Sequence, residues 1–245
     1  MTILAVSPHL DDAILSAGSF LSEESAQAEI HIVTLFAGDP IEPLSPLAKA
    51  HHSRWGLGLN ATSLRRSEDL LACASIGARS HHEQFVDAIY RKDSSGIDIY
   101  SSDSQLYEEP RETKLEGLLD ASLKQIIEDI RPTLMLAPLG IGWHVDHILT
   151  RDAVRRVATS FGLPIVYWAD VPYAKTYGLP TDDEGNLILW NEVACTQSLL
   201  DAAACYHSQV SALWPHGDWF DQLKSWMEML YVDARDTQIY ESSLN

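Results

Sequence analysis

Short apolar runs alternate along this chain with segments of helical periodicity. Thr2 to Val6, Ile30 to Phe36, Thr133 to Ala137 and Ile165 to Trp168 are β-prone and almost continuously apolar. A strand without a polar face must be covered on both sides. Between the runs, Ala13, Ile14, Ala17, Phe20 and Leu21 recur at three- and four-residue spacing, as on one face of a helix. Thr62 to Ile76 reads as a helix that Thr62 or Ser63 can cap and Gly77 can end. Thr113-Lys114-Leu115-Glu116 reads as a capping box opening a helix to about Ile130. Another helix runs from about Asp146 to Phe161, stopped by Gly162 and Pro164. The alternation predicts an α/β fold, a Rossmann-like three-layer sandwich with a mostly parallel sheet.

After Pro172 the rhythm changes. Residues 186–195 read as a strand or hairpin, and 197–213 and 218–230 as helices, which makes a C-terminal elaboration. Residues 88–112 are polar and aperiodic and read as an insertion or lid-like loop. With no internal repeat and no linker, the expectation is one domain over 1–245. Its α/β core would occupy 1–170 and a substrate-shaping part 171–245.

Composition narrows the class. The 245 residues carry 17 Lys plus Arg against 35 Asp plus Glu, a formal net charge of −18. Nucleic acid and anionic membrane both select basic surface, so neither is expected as a partner. Cys73, Cys195 and Cys205 show no CxxC spacing, which argues against a disulfide scaffold or a Cys-rich zinc site. No stretch approaches the roughly 18 apolar residues of a membrane span, and the N-terminal run lacks a signal-like basic region. The expectation is a soluble, cytoplasmic protein, with a homo-oligomer possible.

Parallel α/β sheets build their sites beyond the carboxyl ends of the strands. Two strand-to-helix turns there carry chemistry: Pro8-His9-Leu10-Asp11-Asp12 and Gly142-Trp143-His144-Val145-Asp146-His147. Catalytic zinc takes three His or carboxylate ligands and keeps a fourth position for water. His9 and Asp12 stand at i and i+3, as do His144 and His147, so each pair shares one helical face. Either turn alone could be ordinary helix-start chemistry, since acidic residues favour a helix N-terminus. Spacing alone does not decide between Asp11 and Asp12 as the ligand.

PHLDDAILSAG resembles the PHxDDxxxxxG signature of the LmbE/PIG-L zinc-dependent de-N-acylases, and His144-Val145-Asp146-His147 resembles their HxDH segment. Arg65-Arg66-Ser67-Glu68 before Ser75-Ile76-Gly77 is similar to the family's RRxE helix, and Tyr206-His207-Ser208-Gln209 to its HxSQ segment. Tyr206 stands where many members have His. The resemblance implies that His9, Asp12 and His147 bind zinc, although iron or manganese would use the same donors. It implies Asp11 as general base, His144 as oxyanion stabiliser and Asp146 as the group orienting a neighbouring histidine. In that scheme His144 is useful only if protonated, a form that Asp146 would favour.

Substrate contacts are expected from Arg65 or Arg66, Asp87, Trp143, Tyr173 and Tyr206. His51-His52 and His81-His82 lack a carboxylate at ligand spacing and read as surface residues. The implied activity is hydrolytic removal of an N-acyl group, most simply acetyl, from an amino-sugar conjugate such as an N-acetylglucosaminide. A thiol-sugar amidase, an antibiotic-pathway deacylase and a non-catalytic carbohydrate-binding relative are the alternatives. A nucleotide-binding oxidoreductase is disfavoured, because the first turn holds Asp11 and Asp12 where a pyrophosphate loop would need GxGxxG.

Overall fold

The computed structural model describes residues 1–180 and 186–234. Strands β1 (Thr2–Ser7), β2 (Glu29–Thr34), β3 (Ala78–His82), β4 (Leu134–Pro138) and β5 (Ile165–Trp168) run parallel. Strands β6 (Leu187–Ala194) and β7 (Met227–Asp233) extend the sheet antiparallel beyond β5. The spatial order is β3-β2-β1-β4-β5-β7-β6. The helices are α1 (Asp12–Glu24), α2 (Pro46–Arg54), α3 (Ala61–Ser75), α4 (Thr113–Ile130), α5 (Val145–Phe161), α6 (Tyr173–Tyr177), α7 (Gln197–Ala203), α8 (His207–Leu213) and α9 (Trp219–Lys224). Among the described residues, no helix is long and apolar enough to cross a membrane.

The period-2 alternation of strand side chains divides the core in two. Ile3, Ala5, Leu134, Leu136, Val166 and Trp168 pack toward α1, α3 and α7. Their neighbours Leu4, Val6, Met135, Ala137, Ile165 and Tyr167 pack toward α4 and α5. Continuous apolar strands follow directly, because each strand has two faces to bury.

The chain builds β2 and β3 on one side of β1, then returns to build β4 and β5 on the other. The connections leaving β1 and β4 therefore diverge, and a crevice opens at their carboxyl ends. The first of these connections carries His9, Asp11 and Asp12; the second carries Trp143 to His147.

Several local expectations give way to tertiary context. Helix α3 begins at Ala61, and no side chain caps it at Asn60. Thr113 is already helical, and the N-cap position holds Glu112, whose carboxylate accepts from Arg91 and Tyr100; the capping box does not form. The 197–213 segment is two helices broken at 204–206, and 218–230 is helical only to Lys224. Beyond it, β7 is drawn into the sheet by pairing with β5 and β6 at once.

Helix α1 leaves helical geometry at Ala17, where φ is −143°. The buried Glu228 on β7 accepts the backbone N–H groups of Ser19 and Phe20 just beyond the kink. Segment 88–112 is not a loose insertion. It has two short 3₁₀ turns, Ala88–Tyr90 and Asp103–Tyr107. It buries Tyr100 and Leu106 in a small cluster with Leu44, Leu47 and Val145.

Candidate metal centre

At the crevice the structure brings both histidine turns together. Asp12 Oδ2 lies 3.1 Å from His9 Nδ1 and 3.3 Å from His147 Nε2. The far nitrogen of each ring faces another carboxylate. His9 Nε2 lies 3.0 Å from Asp146 Oδ2, and His147 Nδ1 lies 2.7 Å from Asp170 Oδ1. A carboxylate behind an imidazole fixes its tautomer and presents the other nitrogen as a metal ligand. His147 Nε2 is buried without a hydrogen bond of good geometry. Two imidazoles that turn a nitrogen to one carboxylate are N/O donors of the kind divalent zinc or iron takes. Among the described residues, His9, Asp87 and Asp146 also bring ligand atoms within 4.8 Å of one another.

His144 is close but held differently. Ligand nitrogens of His9, His144 and His147 lie within 4.8 Å of one another. As the N-cap of α5, however, His144 accepts the Asp146 backbone N–H at Nδ1, and among the described residues no carboxylate is hydrogen-bonded to its ring. Accepting at Nδ1 puts the proton of the neutral ring on Nε2, so His144 is a hydrogen-bond donor without carrying charge.

Asp11 is separate from this cluster. Its carboxylate faces Arg65, with Oδ1 3.4 Å from the guanidinium. Asp87 lies 3.8 Å from His9 Nε2 and 4.0 Å from Arg65, on the same wall. The cleft of about 180 Å³ in front of them is lined by His9, Asp11, Asp12, Arg65, Asp87 and Tyr173.

The titrations follow these contacts. Burial opposes charge on His9, but Asp87, Asp12 and Asp146 raise it well above its ordinary value. Burial opposes His147 too, yet Asp12 and Asp170 lift it to about 10. Burial would raise Asp12, and His147 and His9 outweigh that and hold it well below the carboxylate range. Asp11 goes the other way: burial and then Asp12 push it up to about 7, against Arg65 and His9. Asp146 is held low by Arg91 and His9 in spite of burial.

Three expectations need correction. His144 is not protonated, although Asp146 favours that form: burial first, and then the charge on His9, outweigh Asp146 and depress His144 to about 3. The Asp146 carboxylate is bonded to His9, to Arg91 and to the Ala88 N–H. Arg66 is outside the cleft, because its guanidinium is bound to Asp39 and to the Ala37 carbonyl. Tyr206 does not face a substrate; it is fully buried and donates its hydroxyl to Asp69 at 2.8 Å. Trp143 stands exposed and lines a groove next to the cleft.

The paired histidines are not plain surface residues either. His52 is buried against Tyr90, His51 meets Asp103, and His82 meets Asp69. Three contributors escaped the sequence reading. Asp170 follows β5 at the same sheet edge as the two turns, and a carboxylate at a third strand end was the available signal. Arg91 sits in aperiodic chain, which offered none. Gln209 lines the cleft from α8.

Residues 4–158 match the family described as GlcNAc-PI de-N-acetylase, PIG-L. The chain belongs to this family. Over 172 residues it is 28% identical to a 2'-N-acetylparomamine deacetylase of Streptomyces fradiae, a match spanning 70% of this chain and 57% of that protein. A 2'-N-acetylparomamine deacetylase of Niallia circulans is also 28% identical, over 69% of this chain and 66% of the relative. The chain thus covers less than two thirds of either relative. Among solved structures, the zinc-inhibited form of teicoplanin deacetylase Orf2 superposes with a TM-score of 0.81 at 27% identity, over 96% of this chain and 99% of that one. The antimicrobial pseudoaglycone deacetylase Dbv21 gives a TM-score of 0.76 at 31% identity, over 95% and 97%. The PIG-L motifs of this chain are the two turns that meet at the crevice.

Proposed function

We propose that this PIG-L protein is a zinc-dependent hydrolase that removes an N-acetyl group from an amino-sugar conjugate. One observation carries the reading. His9 and His147 each have a carboxylate behind the far nitrogen, and both present the other nitrogen to Asp12. The deacetylases among its relatives support the same chemistry. Under this reading His9, Asp12 and His147 would hold the ion, and His144, whose Nδ1 accepts the Asp146 N–H, would remain free to donate from Nε2. A bound Zn²⁺ would polarise the acyl oxygen and acidify a water.

The remaining steps belong to the chain. Asp11 faces Arg65 rather than the ligand cluster and takes the proton of the attacking water. The water oxygen bonds to the acyl carbon. His144 donates its Nε2–H to the oxygen on which negative charge develops, a neutral donor fixed in place before reaction. Asp11 then gives the proton to the departing nitrogen as the C–N bond breaks, leaving acetate and a free amine. Arg65, Asp87 and Tyr173 line the cleft and would orient the sugar hydroxyls.

The test is acetate release from a panel of N-acetylated amino sugars, with metal-loaded and chelator-treated protein side by side. Release that stops on chelation and returns with zinc is the expected result. Release at full rate from metal-free protein would refute the reading.

A further inference from the structure

The metal cleft is small for a whole conjugate. Its volume is about 180 Å³, whereas pockets that enclose small ligands typically span roughly 300–1,000 Å³. A cleft of this size would take a sugar ring and leave outside whatever the sugar carries. A second groove of about 530 Å³ lies alongside, lined by Gly142, Trp143, Arg151, Tyr177 and Leu179. The two share a wall. Helix α6 has Tyr173 in the cleft and Tyr177 in the groove, and Trp143 directly precedes His144. Tyr107, at the cleft, packs its ring on His144 and Tyr173.

Trp143 is unusual in this wall. Its φ is +64°, a left-handed conformation that bulky residues seldom adopt. The preceding turn is pinned from below, because Asp170 Oδ2 accepts the N–H groups of Gly140 and Ile141. A Cβ on Gly142 would lie 2.9 Å from the Tyr173 ring, so this turn cannot relax by taking a larger residue there. Yet the strained position holds an indole that is 64% exposed, beside Tyr177 at 64%. A strained backbone that holds a largely exposed indole points to contact with a ligand.

We propose that Trp143 and Tyr177 form a shelf for the non-sugar part of the substrate, a flat aromatic aglycone stacked on the indole. This rests on the deacetylation reading and names the substrate class for it. The test compares the methyl and 4-methylumbelliferyl β-glycosides of N-acetylglucosamine, with affinity read by calorimetry on zinc-loaded protein and acetate release read separately. Stacking predicts that the aryl glycoside binds about tenfold more tightly. Trp143→Asn should bring the ratio within about twofold without lowering the melting temperature, since Asn tolerates the left-handed region. Trp143→Phe should retain most of the preference.

Equal affinities in the unaltered protein, or a preference that survives Trp143→Asn, would overturn the shelf. So would a drop of more than about 5 °C in Trp143→Asn, which would mark the indole as a packing residue. Trp143-dependent binding with no acetate released from either glycoside would uphold the shelf and refute the deacetylation.

Discussion

Replacing Asp170 with Asn removes one charge and one acceptor from behind the proposed metal centre. In the structure one carboxylate oxygen meets His147 Nδ1 at 2.7 Å, and the other accepts Gly140 and Ile141 N–H at 2.8 and 2.9 Å. An amide has a single acceptor oxygen. If that oxygen keeps the two backbone N–H groups, the NH₂ faces His147 Nδ1 and forces the ring to put its proton on Nε2, the nitrogen meant for the metal. If the amide flips, two buried N–H groups lose their partner. The first outcome should weaken zinc about 10- to 100-fold, or roughly 1.4–2.7 kcal/mol. The second should cost about 1–3 kcal/mol for each orphaned group. A competition titration against a chromophoric chelator reads the first, and thermal unfolding of metal-free protein reads the second. A folded Asp170→Asn variant with unchanged zinc affinity would refute the claim that this carboxylate sets the tautomer of His147.

Other outcomes follow from the same contacts. Asp11→Asn should retain zinc, by elemental analysis, while acetate release falls about 100-fold or more; a metal-free variant would instead make Asp11 the ligand. Tyr206→Phe should lower the melting temperature, because Asp69 loses a buried donor worth about 1–3 kcal/mol. A raised KM at unchanged melting temperature would restore Tyr206 to the substrate. Burial raises Glu228 from 4.5 to about 8 in the folded protein, against the N–H groups of Phe20 and Ser19. Folding therefore favours its protonated form, so its contribution is full below pH 4.5 and is lost as pH climbs toward 8. Denaturant midpoints should decline over that window and decline less in Glu228→Gln; equal slopes for the two proteins would exclude Glu228 as the source.

The strand pattern was legible because a strand buried on both faces must be apolar throughout. The β5 run, Ile165 to Trp168, coincides with the observed strand. The two histidine turns were legible because each is local: His9 and Asp12, and His144 and His147, stand three residues apart. The expectation failed where chemistry depended on distant partners. Residues 218–230 read as helical, yet Met227 to Asp233 is a strand, selected by the edges of β5 and β6 with which it pairs.

What the amino-acid order alone determined was the layered α/β fold and the identity of the two histidine turns, since both are written in patterns a few residues long. Tertiary structure decided the roles inside the site. Asp146 follows His144 closely in sequence, yet it serves His9, 137 residues away. Asp170 turned out to hold His147, while Tyr206 and Arg66 turned inward to Asp69 and Asp39. Hydrogen-bond partners are chosen by proximity in the folded chain, and a buried polar group takes whatever acceptor the fold brings within reach.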